Sequence, residues 1–164
     1  MPEVEIESGD LTERLVGITP IYLNQFIQRG MYGIRASVRA GSLREQRRKF
    51  SKDDVFGIAL VWLLFESGLR SDPIHRILND LGKTKTADAN RTAQALLRSG
   101  AEYLVIIRHP RRPREPLKKP EQRVVTCAQS KLGELVAKNA DASITAIPVG
   151  SKFADIQKRL EIFY

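Results

Sequence analysis

Residues 19–30 carry apolar side chains at the three-and-four spacing of a single helical face. Leu23, Phe26 and Ile27 point inward, and Ile21, Tyr22, Asn24, Gln25 and Gln28 are left for the outside. This pattern predicts a helix that starts at Thr19 as a hydroxyl cap, takes Pro20 into its first position and runs to Arg29. Gly30 is placed to end it in the left-handed conformation. Upstream, Leu11, Leu15 and Val16 predict a short helix after Asp10, with Glu13 giving a capping-box-like start. Downstream the period changes. Residues 34–39 look extended, Ala40, Gly41 and Ser42 make a turn, and residues 47–50 return, which predicts a hairpin. Ser51 with Asp54 three residues on then caps a helix whose Val55, Ile58, Ala59, Val61, Trp62 and Phe65 form a broad apolar surface. Gly68 stops that helix, and Ser71, Asp72 and Pro73 open another through Ile74, Ile77, Leu78 and Leu81.

Residues 82–86 form a polar joint that divides the chain into units 1–82 and 83–164. In the second unit, residues 87–99 predict an alanine-rich helix ended by Gly100, and residues 103–108 and 123–128 predict strands from their Val, Ile and Tyr content. A Pro/Arg-rich loop at 109–120 lies between them. It carries Pro110, Pro113, Pro116 and Pro120 with Arg111, Arg112, Arg114, Lys118 and Lys119, and is expected to be a solvated, extended arm. Residues 132–140 predict a helix and residues 144–149 a strand. Ser151 is expected to cap a final helix with an apolar stripe of Phe153, Ile156, Leu160 and Phe163. The fold class expected is α+β: an N-terminal winged helix-turn-helix, with a hairpin as wing, followed by a small α+β domain.

Composition sharpens the picture. At 164 residues and 42% hydrophobic content the chain can bury a core, and its net charge of +8 makes a polyanion the natural partner, although such a balance serves solubility just as well. Seven bases (Arg29, Arg35, Arg39, Arg44, Arg47, Arg48 and Lys49) stand against one acid, Glu45, across the hairpin. The longest apolar run, residues 55–65, is interrupted by Gly57 and falls well short of the roughly 20 residues a bilayer span needs, so no membrane partner is expected. Residues 1–10 are acidic and do not look like a signal peptide, and the single Cys127 has no disulfide partner; both fit a cytoplasmic, nucleoid-associated protein. His75 and His109 are the only histidines. No metal set, cofactor, glycine-rich phosphate loop, carboxylate pair or nucleophile setting stands out, so no enzyme is expected.

The helix and hairpin together suggest a DNA reader. Asn24, Gln25 and Gln28 have the amide groups that pair with adenine edges in the major groove. Tyr22 can donate to a phosphate, and Arg35, Arg39, Arg44, Arg47 and Arg48 can neutralise phosphates, with a salt slope of roughly −0.9 for each phosphate engaged. The residues expected at DNA are Thr19, Tyr22, Asn24, Gln25, Gln28 and Arg29 from the helix, and Arg35, Arg39, Arg44, Arg47, Arg48 and Lys49 from the wing.

Residues 11–81 also resemble the DNA-binding domain of the MerR family of regulators. Residues 17–20 match its Gly-Val-Ser/Thr-Pro entry to the recognition helix; Leu23, Phe26 and Gly30 follow in register. Residues 48–55 are similar to its Arg-x-Tyr-Ser-x-x-Asp-Val, with Phe50 for the tyrosine, and Gly68, Leu69, Asp72, Ile74 and His75 fit its later spacing. The chain departs from the family at Asn24 and Ile27, where Arg and Glu are usual, and in its first helix, which lacks the Ile-Gly-Glu-Leu-Ala entry. Nor does a long coiled-coil helix follow Leu81, since residues 87–99 give only about three or four turns. The resemblance implies a homodimeric, sequence-specific regulator of transcription that binds a pseudo-palindromic double-stranded operator. Two alternatives are an excisionase-like architectural protein, and an adaptor whose C-terminal domain binds a protein partner or small effector.

Overall fold

The computed structural model describes residues 4–35, 37–38, 48–110 and 122–164, without the side chains of Ser37 and Val38. The expected hairpin turn with Arg39, Arg44 and Arg47 lies outside the described residues, as does the proline-rich arm beyond Pro110. The fold is α+β, mostly helical, with two small sheets.

The organising element is α3, Lys52–Glu66. Its start is fixed by a reciprocal cap: the Ser51 hydroxyl accepts from the Asp54 amide at 3.2 Å, and the Asp54 carboxylate accepts from the Ser51 amide at 2.8 Å. Val55 through Trp62 are all buried. A helix apolar on every side must be enclosed on every side, and α4 (Ser71–Gly82), α5 (Ala89–Ser99) and α7 (Val149–Phe163) pack around α3. The approach of α5 depends on Gly57, because a Cβ there would lie 2.0 Å from the Asn90 side-chain oxygen and 2.9 Å from its backbone nitrogen. Asn90 Nδ2 donates to Asp54 at 2.6 Å and Gln94 Nε2 to Asp53 at 2.8 Å, which latches α5 along the first half of α3.

The N-terminal part begins with β1, Ile6–Glu7, which pairs antiparallel with β3, Arg48–Phe50; β3 pairs on its other edge with β2, Ser37–Val38. The hairpin expected from the sequence is thus the β2–β3 pair, and β1 is an added strand. Next come α1, Ser8–Asp10, and a π-helical turn, Leu11–Leu15, that buries Leu11 and Leu15. This helical segment opens at Ser8, before the expected position after Asp10, and no side chain caps it. α2 spans Pro20–Gln28 with Thr19 extended at its N-cap, although the Thr19 hydroxyl makes no cap bond. Gly30 closes it at φ 57°, as expected of a residue without a Cβ. A 3₁₀ turn, Met31–Gly33, follows; within it Tyr32 holds a left-handed φ of 59° while being buried.

The second sheet has order β5-β4-β6, from β4 (Tyr103–Arg108), β5 (Gln122–Cys127) and β6 (Ser143–Ile147), every neighbour antiparallel. The outer strands are therefore parallel to each other and joined by α6, Gln129–Lys138. One face of the sheet, with Leu104, Ile106 and Ile147, joins Phe153, Ile156 and Leu160 of α7 in the core. That core is one cluster running from Ile6 to Leu160, so it crosses the boundary expected between 1–82 and 83–164. Phe56 of α3 meets Phe153 of α7 edge to face at 5.5 Å. Lys152 Nζ donates to the Val16 carbonyl at 3.2 Å and Arg159 to the Arg14 carbonyl at 3.0 Å, tying α7 to the first helical segment.

Two expectations about α7 need correction. Its first residue is Val149 after Pro148, so Ser151 sits inside the first turn, where its hydroxyl donates back to the Pro148 carbonyl at 3.1 Å and caps nothing. Phe163 is 48% exposed and lies beyond the core stripe, with the Arg14 guanidinium 5.6 Å from its ring centre. Among the described residues no helix is long and apolar enough to cross a membrane.

Candidate nucleic-acid interface

Leu23 and Phe26 plant α2 in the core, which turns Thr19, Ile21, Asn24, Gln25, Gln28 and Arg29 to the surface. Gln25 and Gln28 make no side-chain hydrogen bond among the described residues, so their amide groups are free for an external partner. Tyr22 departs from expectation. It is half-buried, its ring 4.7 Å from that of Phe65 and 5.5 Å from that of Trp62, where it anchors α2 to α3 rather than standing outside. Its place one helical turn before Phe26 explains this, because residues four apart share a face. The aromatic seat continues through Phe26 to Tyr32 at 5.5 Å, and from Tyr32 to His75 of α4 at 4.6 Å. Burial raises the Tyr32 phenol above its ordinary range, with the Asp72 charge adding to the rise and a hydrogen bond with Ser71 opposing it.

Strand β3 meets this helix directly. Side chains alternate along a strand, so Arg48 and Phe50 share one side of β3 while Lys49 takes the other. Phe50 is buried, and Arg48 reaches the Asn24 carboxamide oxygen at 2.5 Å. Lys49 instead pairs with Glu5, across the sheet from α2, so of the two basic residues of β3 it is Arg48 that serves the α2 face. Arg29 and Arg35 are exposed and have no carboxylate partner among the described residues. The structure thus brings Asn24, Gln25, Gln28, Arg29 and Arg48 together and turns Lys49 aside. No local pattern hints at the bond from Arg48 to Asn24, which spans 24 positions.

In the second half, a cavity of about 570 Å³ opens where the end of α5, the start of β4 and the start of α7 converge. Leu96, Leu97, Tyr103 and Phe153 supply its apolar walls, with Gln129 and Gln157 among its polar groups. Glu102 holds the corner, since its carboxylate accepts from the Gln129 amide at 2.5 Å and its carbonyl from the Gly150 amide at 3.0 Å. The residues that line it come from four separate elements, which is why no local motif announced it. Cys127 is half-buried beside Lys131 and Leu135 of α6. Among the described residues no group of three or more His, Cys, Asp or Glu is placed to hold a metal ion.

No protein-family model matches this chain, and no curated protein matches it.

Proposed function

We propose that this chain is a sequence-specific double-stranded DNA-binding regulator of transcription, with a MerR-like winged helix-turn-helix as its reader. The single observation that carries this is the join between the amide-lined outer face of α2 and the wing strand, made by Arg48 and Asn24. A helix that enters the major groove needs side chains that reach base edges, and a wing beside it needs cations for the backbone. Gln25 and Gln28 meet the first need; Arg29 and Arg35, with Arg39, Arg44 and Arg47 of the wing, meet the second. α1 with its π-helical turn serves as the first helix of the helix-turn-helix. The protein acts as a homodimer on a two-fold operator.

The test is selection of duplexes from a random pool by the purified chain, followed by footprinting. Enrichment of one sequence, with paired half-sites about one helical turn apart, supports the proposal; binding that ignores sequence removes it.

The cavity beside Glu102 favours a second reading of the C-terminal half, as the seat of a small effector. Its volume is within the range of about 300–1,000 Å³ found for ligand sites. Filling it with Ala154→Trp should leave DNA affinity in buffer unchanged and abolish any response of that affinity to a cell extract of small molecules. A response that survives the filling places the effector elsewhere.

A further inference from the structure

The outer face of α2 carries one side chain for which amide and phosphate chemistry give no role. Ile21 is 69% exposed, the highest value among the large apolar residues described as exposed. Lone exposed apolar residues are common on any surface, so exposure alone decides nothing. Its position does. Ile21, Gln25 and Gln28 lie at the four-and-three spacing of one stripe, and Ile21 sits in the first turn of α2, the end from which recognition helices contact base edges.

The bond from Arg48 narrows the choice of base. Reading an adenine edge takes one acceptor, for the N6 amino group, and one donor, for N7. The Asn24 oxygen already accepts from Arg48, which occupies one of its two lone pairs and ties the carboxamide to β3. Gln25 keeps acceptor and donor both free among the described residues. The apolar group that the major groove offers is the C5 methyl of thymine. Ile21 and Gln25 are one turn apart, about 6 Å along the helix axis at about 1.5 Å per residue, close to two base steps at about 3.4 Å each.

Resting on the DNA-reading function above, we propose that Ile21 is a specificity-determining residue that packs on a thymine methyl, with Gln25 pairing to an adenine within two steps of it. The preferred half-site is therefore A·T-rich beneath the first turn of α2.

Deoxyuridine provides the test, because it keeps every hydrogen bond of thymine and lacks only the methyl. In the duplex recovered by selection, each thymine is replaced in turn and binding to the full chain is followed by fluorescence anisotropy at fixed salt. One or two positions should weaken binding roughly fourfold, the value of one buried methyl-sized group. Ile21→Ala should bind the thymine and uracil duplexes alike with an unchanged salt slope, while Ile21→Val retains the difference. If the wild-type chain binds the selected duplex yet ignores every replacement, or Ile21→Ala keeps the discrimination, the thymine pairing is wrong and DNA reading stands. If no duplex is enriched at all, DNA reading itself fails and this proposal with it.

Discussion

Arg48 Nη1 donates to the Asn24 carboxamide oxygen at 2.5 Å, so β3 and α2 hold each other at their exposed edges. Because both groups are exposed, the bond adds little to stability, and Arg48→Ala should shift the unfolding free energy by no more than about 0.5 kcal/mol. Its effect should fall on DNA affinity. Arg48→Ala and Asn24→Ala should each weaken binding, and the double variant should lose less than the sum, with a coupling of about 0.5–1.5 kcal/mol. Strict additivity in that double-mutant cycle would show that the bond does not order the reading surface.

Arg29, at the end of α2, and Arg35, two residues beyond Gly33, are exposed cations without carboxylate partners among the described residues. Replacing both with Ala should reduce the slope of log affinity against log salt by roughly 1.8, about 0.9 for each phosphate no longer neutralised. Affinity measured between roughly 50 and 300 mM salt checks this on the order of magnitude the counterion argument sets; a slope equal to that of the wild type would take both arginines off the backbone.

Gly57→Ala should destabilise the protein by about 1–3 kcal/mol, since the new methyl meets the fixed backbone nitrogen of Asn90 as well as its movable side chain. Urea unfolding at neutral pH measures it. An unchanged midpoint would mean that α3 and α5 can separate without cost.

The Tyr164 hydroxyl donates to Asp10 at 2.6 Å, and burial together with that carboxylate raises its pKa from 10.0 to about 12. The folded state therefore keeps a proton that the unfolded chain gives up near pH 10. This contribution to stability is complete below about pH 10 and is lost as pH rises towards about 12. Unfolding free energies from roughly pH 9 to 11.5 should fall more steeply for the wild type than for Tyr164→Phe, which has no proton there to lose. Parallel curves would refute the coupling.

Local chemistry made much of the fold legible. Ser51 with Asp54, Pro20 after Thr19, and the terminal glycines Gly30 and Gly100 mark the ends of α2, α3 and α5 because capping acts within one turn of chain. β1 escaped notice since a two-residue strand in an acidic segment has no period to detect; only pairing with β3 creates it. Ser151 has the residue type of a cap, but the chain enters α7 at Val149, directly after Pro148, and by Ser151 the first turn is already under way. At the candidate site, the exposure of Asn24, Gln25 and Gln28 followed from helical period. Tyr22 did not, because a ring is amphipathic and its side was chosen by Trp62 and Phe65 of another helix. The bond from Arg48 to Asn24 and the cavity at Glu102 are products of tertiary folding, which no stretch of neighbouring residues encodes.

The single core has a consequence for how the molecule can be used. α3 leads directly out of β3, yet its walls include α5 and α7, both drawn from the second half. A fragment ending at Gly82 would leave Phe56 and Gly57 facing water, so the first half is not a portable module that can be grafted elsewhere. Whatever loosens the C-terminal helices will also loosen the packing of the first half.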